Sequence, residues 1–230
     1  MTITTTTLTR AAGVAAVVGG LLYIGVQINH PHLDLAFIST TEWKVRQTMK
    51  VLFAALSLAG ITGMYLRQVT RTGVLGLVGY LVLATGFLAM MSVEVVGVVV
   101  VPSIAGTSPG YVTDVLAVAV PGGSATGDLG LIQPLISVMG IGFLGGSLLF
   151  GTALFRARIL ARWAAALLAV GAVATLAIPF VPQVNFRLFA IPTGVALIGL
   201  GYSLWREQRT PATASVPSTV NSQLDPAGAK

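Results

Sequence analysis

The feature that limits this chain most is a succession of apolar runs, each bounded by charge. A bilayer-spanning helix needs about 20 consecutive, mostly apolar residues. Six stretches have that character, at about 11–28, 45–66, 73–101, 131–155, 163–180 and 188–206. Composition points the same way: 55% of the 230 residues are hydrophobic, 9% are charged, and the mean hydropathy is +0.88. Soluble domains carry about 25% charged residues. A chain this poor in charge cannot cover a water-exposed surface, which excludes a soluble enzyme, a nucleic-acid-binding module and a disordered protein. The expected fold is all-α: a bundle of six transmembrane helices. The first run resembles a signal peptide only superficially. It is longer than the usual h-region of about 7–15 residues and ends Val26-Gln27-Ile28-Asn29-His30 without a small-residue cleavage site. It is expected to stay as the first span.

The charges that remain set the topology. Net charge is +6 and the pI about 10.2, but the basic residues are dispersed at span ends, which argues against a nucleic-acid partner. Arg10, Arg67, Arg71, Arg156, Arg158, Arg162, Arg206, Arg209 and Lys230 fall on one side, and Lys44, Arg46, Lys50 and Arg187 on the other. Cytoplasmic loops carry the excess of Lys and Arg, so both termini are expected in the cytoplasm and the chain in the plasma membrane. Trp43, Trp163 and Trp205 lie at span ends, where an aromatic belt places them. Residues 1–10 read as a polar lead and 207–230, rich in Pro, Ser, Thr and Ala, as a disordered cytoplasmic tail. Thr41 reads as the N-cap of the second helix, and Ser108-Pro109 as a cap and first-turn proline of a short surface helix over 111–120. Pro179 and Pro182 mark the end of the fifth span. Gly73, Gly76 and Gly79, and the Gly142…Gly146 pair, form small-residue stripes for close helix approach, with a homodimer contact as their second use. Spans two–three and four–five share a basic-turn pattern, around Arg67 and Arg156, that reads as a weak hairpin repeat.

Several landmarks recur together: His30-Pro31, Trp43, Gly60-Ile-Thr-Gly-Met-Tyr-Leu-Arg67-Gln68, Gly76-Leu-Val-Gly-Tyr80, Glu94 with Pro102, and Gly145-Gly-Ser-Leu-Leu-Phe-Gly151 leading to Arg162-Trp163. This succession, over about residues 10–206, resembles small multi-pass actinobacterial proteins similar to the DUF4386-type membrane proteins. The resemblance implies a six-helix fold in a bacterial plasma membrane and carries no activity and no catalytic residue. One departure is Leu160-Ala161-Arg162-Trp163, where Leu-Pro-Arg-Trp would be expected, leaving the fifth helix without a proline start.

Glu94 is the only acid well inside an apolar run. An ionisable group there is costly and faces a partner or a cavity. Lying 23 residues beyond Arg71, it sits about 34 Å along the helix from the basic turn. Lys50 and Arg46 come at about 25 and 31 Å on the antiparallel neighbour. An ion pair of Glu94 with Arg46 or Lys50 is the structural expectation, and a proton- or ligand-binding carboxylate the functional one. Gln27, His30, Gln133 and Arg187 also sit at outward helix ends and are candidates to line an outer pocket with Lys50 and Glu94. His30, His32 and Asp34 form a weak metal candidate, since imidazole suits Zn, Cu and Ni, but Pro31 holds them extended. There is no cysteine and no Walker A, Gly-x-Ser-x-Gly, His-Glu-x-x-His or dinucleotide-binding motif, so no cofactor is expected.

Three functions follow. A non-catalytic accessory protein binding a lipid or a membrane-protein partner fits the missing catalytic set. A small transporter or channel, as an oligomer, would use Glu94. An intramembrane enzyme would use His30, His32 and Glu94 around a metal.

Overall fold

The computed structural model describes residues 4–120, 122–176 and 186–207. Among them every regular element is helical: α1 Thr5–Gln27, α2 Leu35–Ile38, α3 Thr41–Val99, α4 Val101–Ile104, α5 Pro109–Val118, α6 Ile132–Ala157, α7 Arg162–Ala174 and, after a 3-10 turn at Phe186–Phe189, α8 Ala190–Glu207. Four helices are long and apolar enough to cross a membrane: Thr5–Gln27, Thr41–Val99, Ile132–Ala157 and Arg187–Glu207. Arg162–Ala174 is apolar but shorter. The expected helix ends at Pro179 and Pro182, the loop residue Asn185 and the tail beyond residue 207 lie outside the described residues.

Helix starts differ from expectation where local capping decides. The threonine lead is not a separate segment: Thr4 caps α1, its hydroxyl accepting from the Thr7 N–H, so Thr5–Arg10 is already helix. The cap of α3 is Thr40 rather than Thr41, accepting from the Trp43 N–H at 3.2 Å. Pro109 does sit in the first turn of α5, but the Ser108 hydroxyl makes no capping bond. Trp43 is not a belt residue either. It is 4% exposed, and its indole N–H donates to the Gly97 carbonyl at 2.9 Å.

The 59 residues of α3 do not form one straight rod. Backbone angles leave the helical region at Gln68 (φ −135°, ψ 24°) and at Gly73 (φ 58°, ψ −157°), a combination essentially restricted to glycine. The arms 41–67 and 74–99 then fold back on each other. Trp43 meets Gly97, Gln47 meets Glu94, the Phe53 and Phe87 rings meet edge to face, and Tyr65 stacks on Tyr80.

The helices close into a ring. α1 packs between the first arm of α3 and α8, α8 on α7, α7 on α6, and α6 on the second arm of α3. Its centre is filled by side chains such as Phe53, Phe87, Phe150, Leu168, Leu197 and Leu200. Several junctions are backbone against backbone, the α6–α7 contact at Gly151 and Ala169 among them. A Cβ on Gly86 would lie 2.6 Å from the Phe143 nitrogen of α6, and one on Gly142 would lie 2.7 Å from the Gly86 Cα. A Cβ on Gly13 of α1 would lie 2.7 Å from the Gly201 carbonyl oxygen of α8. Gly79, Gly142 and Gly146 of the predicted stripes are thus used inside the chain, against Phe150, Gly86 and Leu83, while Gly76 faces Thr72 of its own helix. Gly140 and Gly145 have nothing within 4 Å of their Cβ positions.

A smaller cluster caps one end of the ring. Phe37 and Ile38 of α2, Trp43, Val101 of α4, and Val112 and Leu116 of α5 are buried together. Asp114 fastens this cap to the loop before α6. Its carboxylate accepts from the Thr126 N–H at 3.0 Å and the Gly127 N–H at 2.8 Å, and these bonds hold its pKa below the usual carboxylate value.

Overpacking of this kind costs about 1–3 kcal/mol. Gly86→Ala is therefore expected to lower the melting midpoint in detergent clearly, and Gly140→Ala to leave it unchanged. Equal midpoints for the two variants would contradict the close backbone contact.

Candidate functional site

The polar residues expected at the outer helix ends do assemble, in two linked groups at the capped end. The first is on α3 itself. Gln47 and Lys50 are one helical turn apart and share a face with Trp43, so all three point at the second arm. Gln47 Nε2 donates to Glu94 Oε2 at 2.7 Å, Lys50 Nζ donates to Gln47 Oε1 at 2.8 Å, and Lys50 Nζ lies 3.5 Å from Glu94 Oε2. The Lys50 and Glu94 side chains are 21% and 13% exposed, so the pair is largely withdrawn from water. Close packing makes room for Gln47: a Cβ on Gly97 would strike its Nε2 at 2.4 Å.

Arg46 does not join Glu94. Arg46 lies about 100° around the helix from Gln47 and only about 40° from Lys50, on the flank of that face, and its long side chain reaches toward the end of α1. There it pairs with Glu42, one turn earlier, at 2.7 Å. Its guanidinium also donates to the carbonyls of Val26 (2.7 Å), Ile28 (3.1 Å) and Asn29 (3.1 Å). These are carbonyls at the C-terminal end of α1, where the helix dipole favours a cation.

The second group gathers around the same helix end. Arg187 Nη1 donates to Gln27 Oε1 at 3.4 Å. His30 Nδ1 donates to the Pro31 carbonyl at 2.9 Å, which fixes the tautomer, and its ring meets Phe37 edge to face. Burial pushes the His30 imidazole from 6.5 down to about 4, against the Pro31 hydrogen bond, and the nearby charges of Arg187, Lys50 and Arg46 push it the same way. Gln133 is exposed in the first turn of α6 and joins neither group.

Beside Glu94 lies a small cavity of about 60 Å³, walled by Gln47, Lys50 and Glu94 on one side and by Leu33, Leu116 and Ile136 on the other. It has room and polar partners for water. Immediately below, the Tyr23, Phe53, Phe87 and Phe143 rings close the centre of the ring. Tyr23 stacks on Phe53 at 4.3 Å, and Phe87 meets Phe53 at 5.6 Å and Phe143 at 5.8 Å.

The metal candidates do not converge. Asp34 caps α2, accepting from the Phe37 N–H at 2.7 Å, and His32 is exposed. Among the described residues no three His, Asp or Glu side chains group as metal ligands. The intramembrane-enzyme arrangement of His30, His32 and Glu94 is thus not assembled. Sequence reasoning passed over Gln47, the residue that joins Lys50 to Glu94. Its signal was its place three residues before Lys50 and four after Trp43 on one helical face. Comparison with family models, curated proteins and solved structures gives no match.

The depressed His30 pKa has a testable sign. His30 is neutral in the fold, whereas the unfolded imidazole takes up a proton near 6.5, so acid favours unfolding between 6.5 and about 4. Against His30→Gln, the wild-type melting midpoint is expected to fall more steeply as pH drops through that window, and to run parallel above it. Parallel curves throughout would show an imidazole of ordinary basicity.

Proposed function

We propose that this chain is an integral protein of the plasma membrane that crosses it six times with both termini in the cytoplasm, and that it serves as a non-catalytic, lipid- or partner-binding accessory protein. Six crossings are favoured because a straight helix of 59 residues would run about 88 Å, nearly three times the hydrocarbon thickness of about 30 Å. The turn at Gln68–Gly73 divides α3 into two lengths that each fit, and α7 lies in the ring beside them. The Lys and Arg distribution favours the cytoplasmic placement of the termini. That asymmetry agrees with the family resemblance.

One observation carries the functional reading. The charged groups at the outer end are engaged with one another and with the end of α1, above a ring centre plugged by aromatic side chains. Aromatic rings crowd the ring centre below Glu94, which favours a role for it as a fastener between the two arms of α3. Transport is the second reading, favoured by the small cavity that Gln47, Lys50 and Glu94 line.

Proteoliposome flux separates the two. Purified protein in vesicles holding a pH-sensitive dye is expected to show no proton or cation flux above empty vesicles. Glu94→Gln is expected to lower the melting midpoint, since a hydrogen bond to a charged partner is worth about 1.5–3 kcal/mol. A wild-type flux abolished by Glu94→Gln, with the midpoint unchanged, would replace the accessory reading with transport.

A further inference from the structure

We infer that the groove between α1 and the first arm of α3 is a site for an anionic phospholipid of the leaflet on the basic side, with an acyl chain along the groove and the phosphate at its basic end. This rests on the accessory-protein reading above and names the ligand.

The groove has a volume of about 970 Å³, at the top of the range of about 300–1,000 Å³ found for ligand sites. It runs alongside the line on which the two helices touch. A Cβ on Gly60 would lie 2.6 Å from the Ala16 Cβ, one on Gly63 would lie 2.3 Å from the Ala12 Cβ, and one on Gly19 would lie 2.8 Å from the Ser57 Oγ. Beside this line the residues facing the gap are too short to fill it, chiefly Ala11, Ala15, Ala55 and Ala59. The threonines in the wall do not make it polar. Thr9 Oγ1 donates to the Thr5 carbonyl at 2.9 Å, and Thr62 Oγ1 donates to the Leu58 carbonyl at 2.7 Å and lies 3.1 Å from the Tyr80 hydroxyl, so both hydroxyls are engaged within the protein.

Length and charge then choose the occupant. The walls run from Thr5 to Ala15 and from Ala55 to Arg67, about 15–18 Å of helix. That is half of a hydrocarbon core of about 30 Å, the depth of one leaflet. Leu8 and Leu66 stand 60% and 65% exposed on its rims, as lipid-facing side chains do. At the shallow end is Arg67, its side chain 37% exposed and paired with Glu207. Arg10, Arg71, Arg156, Arg158, Arg162 and Arg206 lie toward the same end of the bundle, where Glu207 is the one acid among the described residues. A neutral chain would satisfy the groove walls alone, whereas a phosphate diester without a compensating ammonium also answers the excess positive charge.

Native mass spectrometry of the full chain in micelles doped with equal phosphatidylglycerol and phosphatidylcholine tests this. A cation near the surface contributes about 1 kcal/mol toward an anionic lipid, or about fivefold. Retention of phosphatidylglycerol is therefore expected at least about fivefold above phosphatidylcholine. Ala59→Phe and Ala11→Phe, on exposed positions of the groove walls, are expected to abolish that retention while keeping the melting midpoint in lipid-free detergent. Arg67→Gln should keep a bound lipid but lose the preference. Equal retention of the two lipids by the wild type, or a preference that survives both phenylalanine variants, overturns the proposal. Neither outcome touches the accessory reading, which stands or falls on the flux measurement.

Discussion

Backbone contact between helices is the constraint on which the ring depends. In a lipid environment apolar side chains gain nothing by leaving one apolar medium for another, and helix association relies on close packing and on polar contacts. Close packing is greatest where no Cβ intervenes. Gly86 against Gly142 brings the second arm of α3 onto α6, and Gly13 against Gly201 brings α1 onto α8. Between these junctions the contacts are larger and less exacting, as where Leu168, Leu197 and Leu200 fill the centre. The glycine positions therefore set helix spacing, and the large side chains occupy what that spacing leaves.

The outer end is organised by charge instead of by size. Two cations of α3 one helical turn apart are sent to different partners. Arg46 satisfies carbonyls that α1 cannot satisfy itself, and Lys50 shares Glu94 with Gln47. Breaking a withdrawn ion pair leaves an uncompensated charge, which is why such pairs persist even when their net contribution is small. The apolar cap of α2, α4 and α5 limits access of water to Glu94, and the Asp114 carboxylate ties that cap down through two backbone N–H groups.

The all-helical class and the apolar stretches were legible from composition and run length, because both are sums over many residues. The turn in α3 was legible as well, since Arg67 and Arg71 interrupt the apolar pattern beside Gly73. Helical rise left Glu94 a choice of Arg46 or Lys50 as its partner and put Arg46 nearer in depth, whereas the contact is made by Lys50. Direction about the helix was harder. Arg46 lies at nearly the right depth for Glu94 but points at α1, and depth arithmetic carries no angle. Trp43 satisfied a compositional rule about interfaces, yet its indole is buried against Gly97, because α2, α4 and α5 cover it. Short amphipathic pieces in a glycine-rich loop carry too little periodicity to announce such a cap. Capping errors of one residue, Thr41 for Thr40, come from adjacent threonines with the same chemistry.

The tight fold-back of α3 bears on how its charges are balanced. With only a few residues between its arms, the hairpin brings Lys50 and Glu94 face to face without help from any other helix. Each charge has its neutralising partner on the same element, so the hairpin balances its own withdrawn charges whatever packs against it.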